Sequence, residues 1–270
     1  MTTVVRQPSI AGTSFTGFGK LLLLSLRGLT RSTSTWVLVA IVGFTAVTAA
    51  PLAQYTPAII AGLLDPAAAT ALEGTLPEPS WQEAFANWAK NLIQMATFAV
   101  IIIGAISFHA HLAGGSVPLI LTRFVGRKAY LSAHFIAFNV VTFVTQLVAA
   151  LVAVLISLIF FSDTVIAAFF YSGLVWWLFT VLLTATICLV ESLRLSLGVS
   201  LASGLAVFFA LFIGGIWSWG AAYTPLGLMN LIGSIATQPL NPLLPVVTTV
   251  ATVAVLVMLS LRAYDRKNIE

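Results

Sequence analysis

Apolar residues in this chain gather into six long runs, near 34–53, 92–110, 134–161, 164–190, 197–217 and 243–263. Shorter stretches between them hold most of the charges and prolines. Each run approaches or exceeds the ~20 residues that carry an α-helix across a ~30 Å hydrocarbon layer. Inside a bilayer every backbone group has to find its partner within the protein, so each run is predicted to be helical. The predicted fold class is an all-α polytopic membrane protein with six transmembrane helices, forming a single domain over 1–270.

Three other segments show different patterns. Phe15, Phe18, Leu22, Leu26 and Leu29 share one helical face, while Lys20, Arg27 and Arg31 share another. That arrangement predicts an amphipathic helix over 15–31 lying in the membrane plane. Trp81, Phe85, Trp88 and Leu92 form a second stripe, predicting a helix on the outer interface that runs into the second span. The third segment, 217–242, has no charge but is too broken by Pro225, Pro239 and Pro242 to cross in one helix. It is expected to dip back as short re-entrant helices and act as an external gate built on Trp217, Trp219, Tyr223 and Pro225.

Charge orients these elements. Arg6, Lys20, Arg27 and Arg31 precede the first span, Arg123, Arg127 and Lys128 lie between the second and third, Arg194 follows the fourth, and Arg262, Arg266 and Lys267 end the chain. The opposite connectors carry only Lys90. The positive-inside rule then predicts a multi-pass membrane protein with both termini in the cytoplasm. With 60% hydrophobic and 7% charged residues, the composition excludes an ordinary soluble domain. The basic balance is read as attraction to anionic lipid headgroups, and no nucleic-acid partner is expected. The first apolar run is too long for a cleavable signal core and is expected to remain as an anchor.

Candidate chemistry is sparse. None of the four lysines (Lys20, Lys90, Lys128, Lys267) falls in a Gly-x-x-x-x-Gly-Lys-Ser/Thr phosphate loop, so no ATP site of that kind is expected in this chain. No zinc-protease or nucleophile-elbow motif occurs. No catalytic, cofactor or metal residue is expected; His109, His111 and His134 are read as interfacial histidines and Cys188 as a core residue. Glu191 and Arg194, at i, i+3, form a candidate local ion pair. Asn139 and Gln146 in the third span are candidates either for lining a path or for bonding between helices.

The segment from His109 to His134 carries the functional signal. A Gly-Gly-Ser break is followed by Pro118-Leu-Ile-Leu-Thr, then Arg123, Arg127, Lys128 and Tyr130 before the third span. Arg123 and Arg127 share a face if this stretch is helical, which suits docking onto a soluble partner.

This stretch resembles the corresponding loop of bacterial ABC exporter permeases of the type-two class. The ordered layout of the chain is also similar: an amphipathic elbow helix, six spans, a first cytoplasmic loop with a coupling helix, and a re-entrant segment between spans five and six. Where such permeases often carry an acidic residue before the glycine, this chain has His109 and His111; where they often carry a proline, it has Phe124 or Val125. The resemblance implies separate ABC ATPase subunits, which would bind ATP and magnesium, and a second permease copy or paralogue. It also implies ATPase coupling through Arg123, Arg127, Lys128 and Tyr130. Two readings from other classes stay open: an ATP-independent channel or ion-coupled carrier, in which Asp163 or Gln146 would matter, and a non-transporting membrane scaffold.

Overall fold

The computed structural model describes residues 15–63, 78–113, 126–234 and 242–266. Its helices are α1 (Phe15–Arg31), α2 (Thr33–Leu63), α3 (Trp81–Asn91), α4 (Thr97–Ala113), α5 (Arg127–Phe160), α6 (Ile166–Ser192), α7 (Leu197–Gly214), α8 (Ser218–Tyr223), α9 (Leu228–Ser234) and α10 (Leu243–Arg266). One π turn, Leu92–Ala96, joins α3 to α4, and one 3-10 turn, Pro225–Gly227, joins α8 to α9. Among the described residues, six segments are long and apolar enough to cross a membrane: α2, the continuous α3–α4 rod, α5, α6, α7 and α10.

Four boundaries differ from expectation. α2 continues ten residues past Ala53, through Pro51 and Pro57. Each proline removes a backbone donor, and within apolar surroundings neighbouring helices and hydroxyls compensate. Threonine hydroxyls bond within the same helix, Thr48 to the Phe44 carbonyl at 2.8 Å and Thr56 to that of Leu52, neither being the carbonyl whose donor a proline removes. The second span begins at Trp81 rather than Leu92, because α3 and α4 form one rod. The third helix starts at Arg127, and the fifth ends at Gly214.

The π turn has a local cause. Widening the helix at Leu92–Ala96 frees the Leu92 carbonyl for several donors. Thr97 caps it with its own backbone N–H and with Oγ1 at 2.9 Å. The indole Nε1 of Trp176 on α6 donates to the same carbonyl at 2.9 Å and to Thr97 Oγ1 at 3.0 Å. The site is dry, since Trp176 is fully buried.

α6 is the hub: α4, α5, α7, α9 and α10 all pack against it. Its most apolar stretch is 67% buried, against 22% for α7 and 17% for α10. An exposed apolar surface on peripheral helices is what lipid tails or a neighbouring apolar chain would cover. Cys188 lies on α6 at 1% exposure, a core residue as expected.

The Trp81–Leu92 stripe is a correction. Trp81, Phe85, Trp88 and Leu92 are all buried, and Phe85 meets Phe169 of α6 edge-on at 5.5 Å. These rings are bundle core rather than anchors on an interface. Periodicity identifies an apolar face but not whether lipid or protein covers it.

Candidate functional site

The residues that bear chemistry gather at one end of the bundle. α4 ends there, α5 starts, α6 and α10 end, and α1 lies across. Consecutive spans run antiparallel, so His109 and His111 near the end of α4 meet side chains from the start of α5 and the end of α6.

Tyr130 and His134 are four residues apart and share one face of α5. Between their rings sits the imidazole of His111. It stacks on Tyr130 with centroids 4.1 Å apart and 12° between planes, and on His134 at 3.9 Å and 11°. The Tyr130 hydroxyl donates to the His111 carbonyl at 3.1 Å, tying the two helices. Ser107 Oγ lies 3.1 Å from His134 Nε2, and Phe108 packs edge-on against the His134 ring at 5.0 Å. His134 Nδ1 and His111 Nε2 are buried with no hydrogen-bond partner among the described residues.

A three-ring stack of this kind does not chelate a metal. The lone pairs of imidazole lie in the ring plane, so parallel rings direct them side by side rather than at one point. Among the described residues no group of three His, Cys, Asp or Glu has metal-site geometry.

Beside the stack, α1 packs on α5, and a cavity of about 490 Å³ lies between these two helices and α4. Leu21, Leu24, Ser25 and Gly28 of α1 form one wall, and Ile103, Ile106 and Ser107 of α4 form another. Ser32, Ser34 and Thr35 also line it, as do His111, Tyr130 and His134. The lining is thus mainly apolar, with hydroxyls and imidazoles among the hydrocarbon.

A second constellation lies nearby. His109 Nδ1 is 3.1 Å from Oε2 and 3.3 Å from Oε1 of Glu191, whose side chain is 2% exposed. Glu191 therefore pairs with His109, correcting the expected Glu191–Arg194 pair. α6 ends at Ser192, and Arg194 has left the helix in the left-handed region at φ 53°, so the two side chains no longer share a helical face. What remains between them is the Arg194 backbone N–H donating to the Glu191 carbonyl at 2.8 Å. Lys128 at the first turn of α5 meets Asp265 at the end of α10 at 2.9 Å, both half-exposed. Such an exposed pair contributes little.

The candidate coupling residues separate. Arg123 and most of 114–128 lie outside the described residues. Arg127 and Lys128 open α5, and Tyr130 is 4% exposed inside the stack. The candidate gate residues stay together: Trp217 and Trp219 rings are 5.2 Å apart, Trp219 and Tyr223 rings 5.6 Å, and all three are exposed. Pro225 opens the turn behind them. Residues 235–241 of that segment are outside the described residues.

Of the two amides in the third span, Asn139 bonds between helices. Its Nδ2 donates to Phe135 O at 2.9 Å, and its Oδ1 accepts from Thr184 at 3.1 Å. Gln146 is 1% exposed, and neither amide atom has a partner among the described residues. It presses on Gly173, where even a Cβ would collide with it.

Sequence reasoning missed the ring stack. The signal was present: an aromatic and a histidine at i, i+4 opening one helix, and a histidine closing the helix before it.

No protein-family model matches this chain, and no curated protein matches it.

Proposed function

We propose that this chain is the transmembrane subunit of an ATP-driven exporter of the type-two ABC class. It would work with a second permease copy or paralogue in a bacterial inner membrane, both termini cytoplasmic. ATP and magnesium would sit on separate ATPase subunits. The observation that carries the reading is the order of elements: an amphipathic helix, six apolar helices, a basic segment after the second and short broken helices after the fifth. The pattern of positive charge, dense on alternate connectors, supports the same orientation.

In this reading, ATP binding closes the ATPase pair against residues 114–128. Arg127 and Lys128 belong to the first turn of a 34-residue helix, about 50 Å long at ~1.5 Å per residue. A push there moves α5 as a rod, and α1 and α2 pack along it. Export then requires that cargo and ATP favour different states of this one element. Trp217, Trp219, Tyr223 and Pro225 would gate the opposite end. The exposed apolar faces suit an amphipathic cargo.

The test is gentle purification from native membranes and mass spectrometry of what stays bound in stoichiometric amount. A soluble protein with a phosphate loop is the expected companion. Repeated recovery of the chain alone overturns the assignment.

A second reading, an ion-coupled carrier, is favoured by one observation: the buried Glu191 carboxylate paired with His109. It predicts flux by the reconstituted chain without ATP.

A further inference from the structure

We propose that the cavity between α1, α4 and α5 binds an amphiphile with a phosphate headgroup, namely an anionic phospholipid of the leaflet on which α1 lies. The phosphodiester sits among the hydroxyls of Ser25, Ser32 and Ser34 and the imidazoles of His111 and His134. The chains leave past Leu24 and Ile106.

Four observations carry this. A volume of about 490 Å³ suits a headgroup with the first part of its chains rather than a single water or ion. The lining combines serine hydroxyls and imidazoles with leucines and isoleucines, the two chemistries an amphiphile carries. Leu24 and Ile106, though lining residues, are 57% and 39% exposed and so mark an apolar mouth. One nitrogen on each of two lining imidazoles lacks a partner among the described residues, and although both nitrogens are closed off as the rings stand, a ring rotation toward the cavity would give them a phosphate oxygen.

Donor chemistry fits an anion. In the tautomer where Ser107 donates to His134 Nε2, the ring carries its proton on Nδ1 and offers a donor. Charge fits as well. Lys20, Arg27 and Arg31 are exposed on a stripe about 100° around α1 from the cavity face, beside Leu24. They would hold an anionic headgroup at the mouth without entering the cavity. The parallel rings argue against a metal ion. The proposal does not depend on an ATPase partner, so the failure of either leaves the other standing.

The experiment is native mass spectrometry of the full chain in detergent titrated with phosphatidylglycerol, diacylglycerol of the same chain length, or inorganic phosphate. Phosphatidylglycerol should bind with about tenfold higher affinity than diacylglycerol, a difference of ~1.4 kcal/mol. Gly28→Leu is the decisive variant. A Cβ at Gly28 meets nothing within 4 Å, so a leucine there starts into open space at a residue that lines the cavity, and leaving glycine favours the helix. It should abolish the phosphatidylglycerol preference while thermal stability without lipid is kept or raised. His134→Phe, which retains a stacking ring, should weaken phosphatidylglycerol binding and leave diacylglycerol unchanged. Equal binding of both lipids by the parent, or an unaltered preference in Gly28→Leu, overturns the proposal. Inorganic phosphate competing at the same concentration as the lipid would also overturn it, identifying a free-anion site instead.

Discussion

His109 Nδ1 lies 3.1 Å from the Glu191 carboxylate, joining the last turn of α4 to the last turn of α6 across 82 residues of chain. A carboxylate 2% exposed at a helix end has lost most of its water, so the imidazole supplies hydrogen bonding that solvent no longer can. Removing one partner should therefore cost more than removing both.

His109→Leu is expected to lower stability on the order of 1–3 kcal/mol, the desolvated acceptor being left unmatched. The fully buried figure is not reached, because His109 itself is 36% exposed. The double variant His109→Leu/Glu191→Leu should regain much of that loss. Thermal unfolding of the four members of the cycle in one detergent decides it; strict additivity would show that the pair does not couple.

Gln146 and Gly173 make a second cycle. Gly173→Ala drives a methyl into the Gln146 amide and should cost about 1–3 kcal/mol by overpacking. Gln146→Ala should suppress that defect, since the colliding group is then gone. Gln146→Met fills a similar volume without two unpartnered polar atoms and should be neutral or stabilising. Loss of flux in a stable Gln146→Met protein would assign the amide to the transport path.

Trp176→Phe removes a donor from the Leu92 carbonyl and from Thr97 in a buried place. The expected cost is about 1–2 kcal/mol, with faster hydrogen exchange centred on residues 92–97. A loss of stability spread evenly over all helices would instead point to packing alone.

Gly227 bears on the candidate gate. A Cβ there would run into the backbone carbonyl of Ala221, which cannot swing away as a side chain would. Gly227→Ala should separate α8 from the 3-10 turn and disturb the Trp217–Trp219–Tyr223 cluster. Tryptophan emission should shift while helical content stays near that of the parent; an unchanged spectrum and unchanged flux would remove the segment from consideration as a gate.

Arg127→Glu tests the proposed coupling. ATPase association should fall while the six helices remain folded, as judged by circular dichroism. Arg123→Glu extends the test into the loop itself. Normal association and transport in both variants would falsify the coupling assignment.

The chain alone determined the helices that dominate the fold. Bilayer thickness and the 3.6-residue period act locally, so runs such as 197–217 and the face Phe18, Leu22, Leu26, Leu29 are legible without knowing any neighbour. Local chemistry is also why a buried Cys188 was foreseen. What the tertiary structure decided was which groups meet. Trp81, Phe85 and Trp88 look the same in sequence whether a bilayer surface or α6 covers them, and contact with Phe169 settles the matter. Glu191 has Arg194 three residues away, yet the helix stops between them and α4, whose end lies beside the end of α6, supplies His109 instead. The His111 ring enters the gap between Tyr130 and His134 only because the end of α4 meets the start of α5. Sequence spacing governs contacts within one helix; pairing between helices depends on their rotation and offset, which no single periodicity contains.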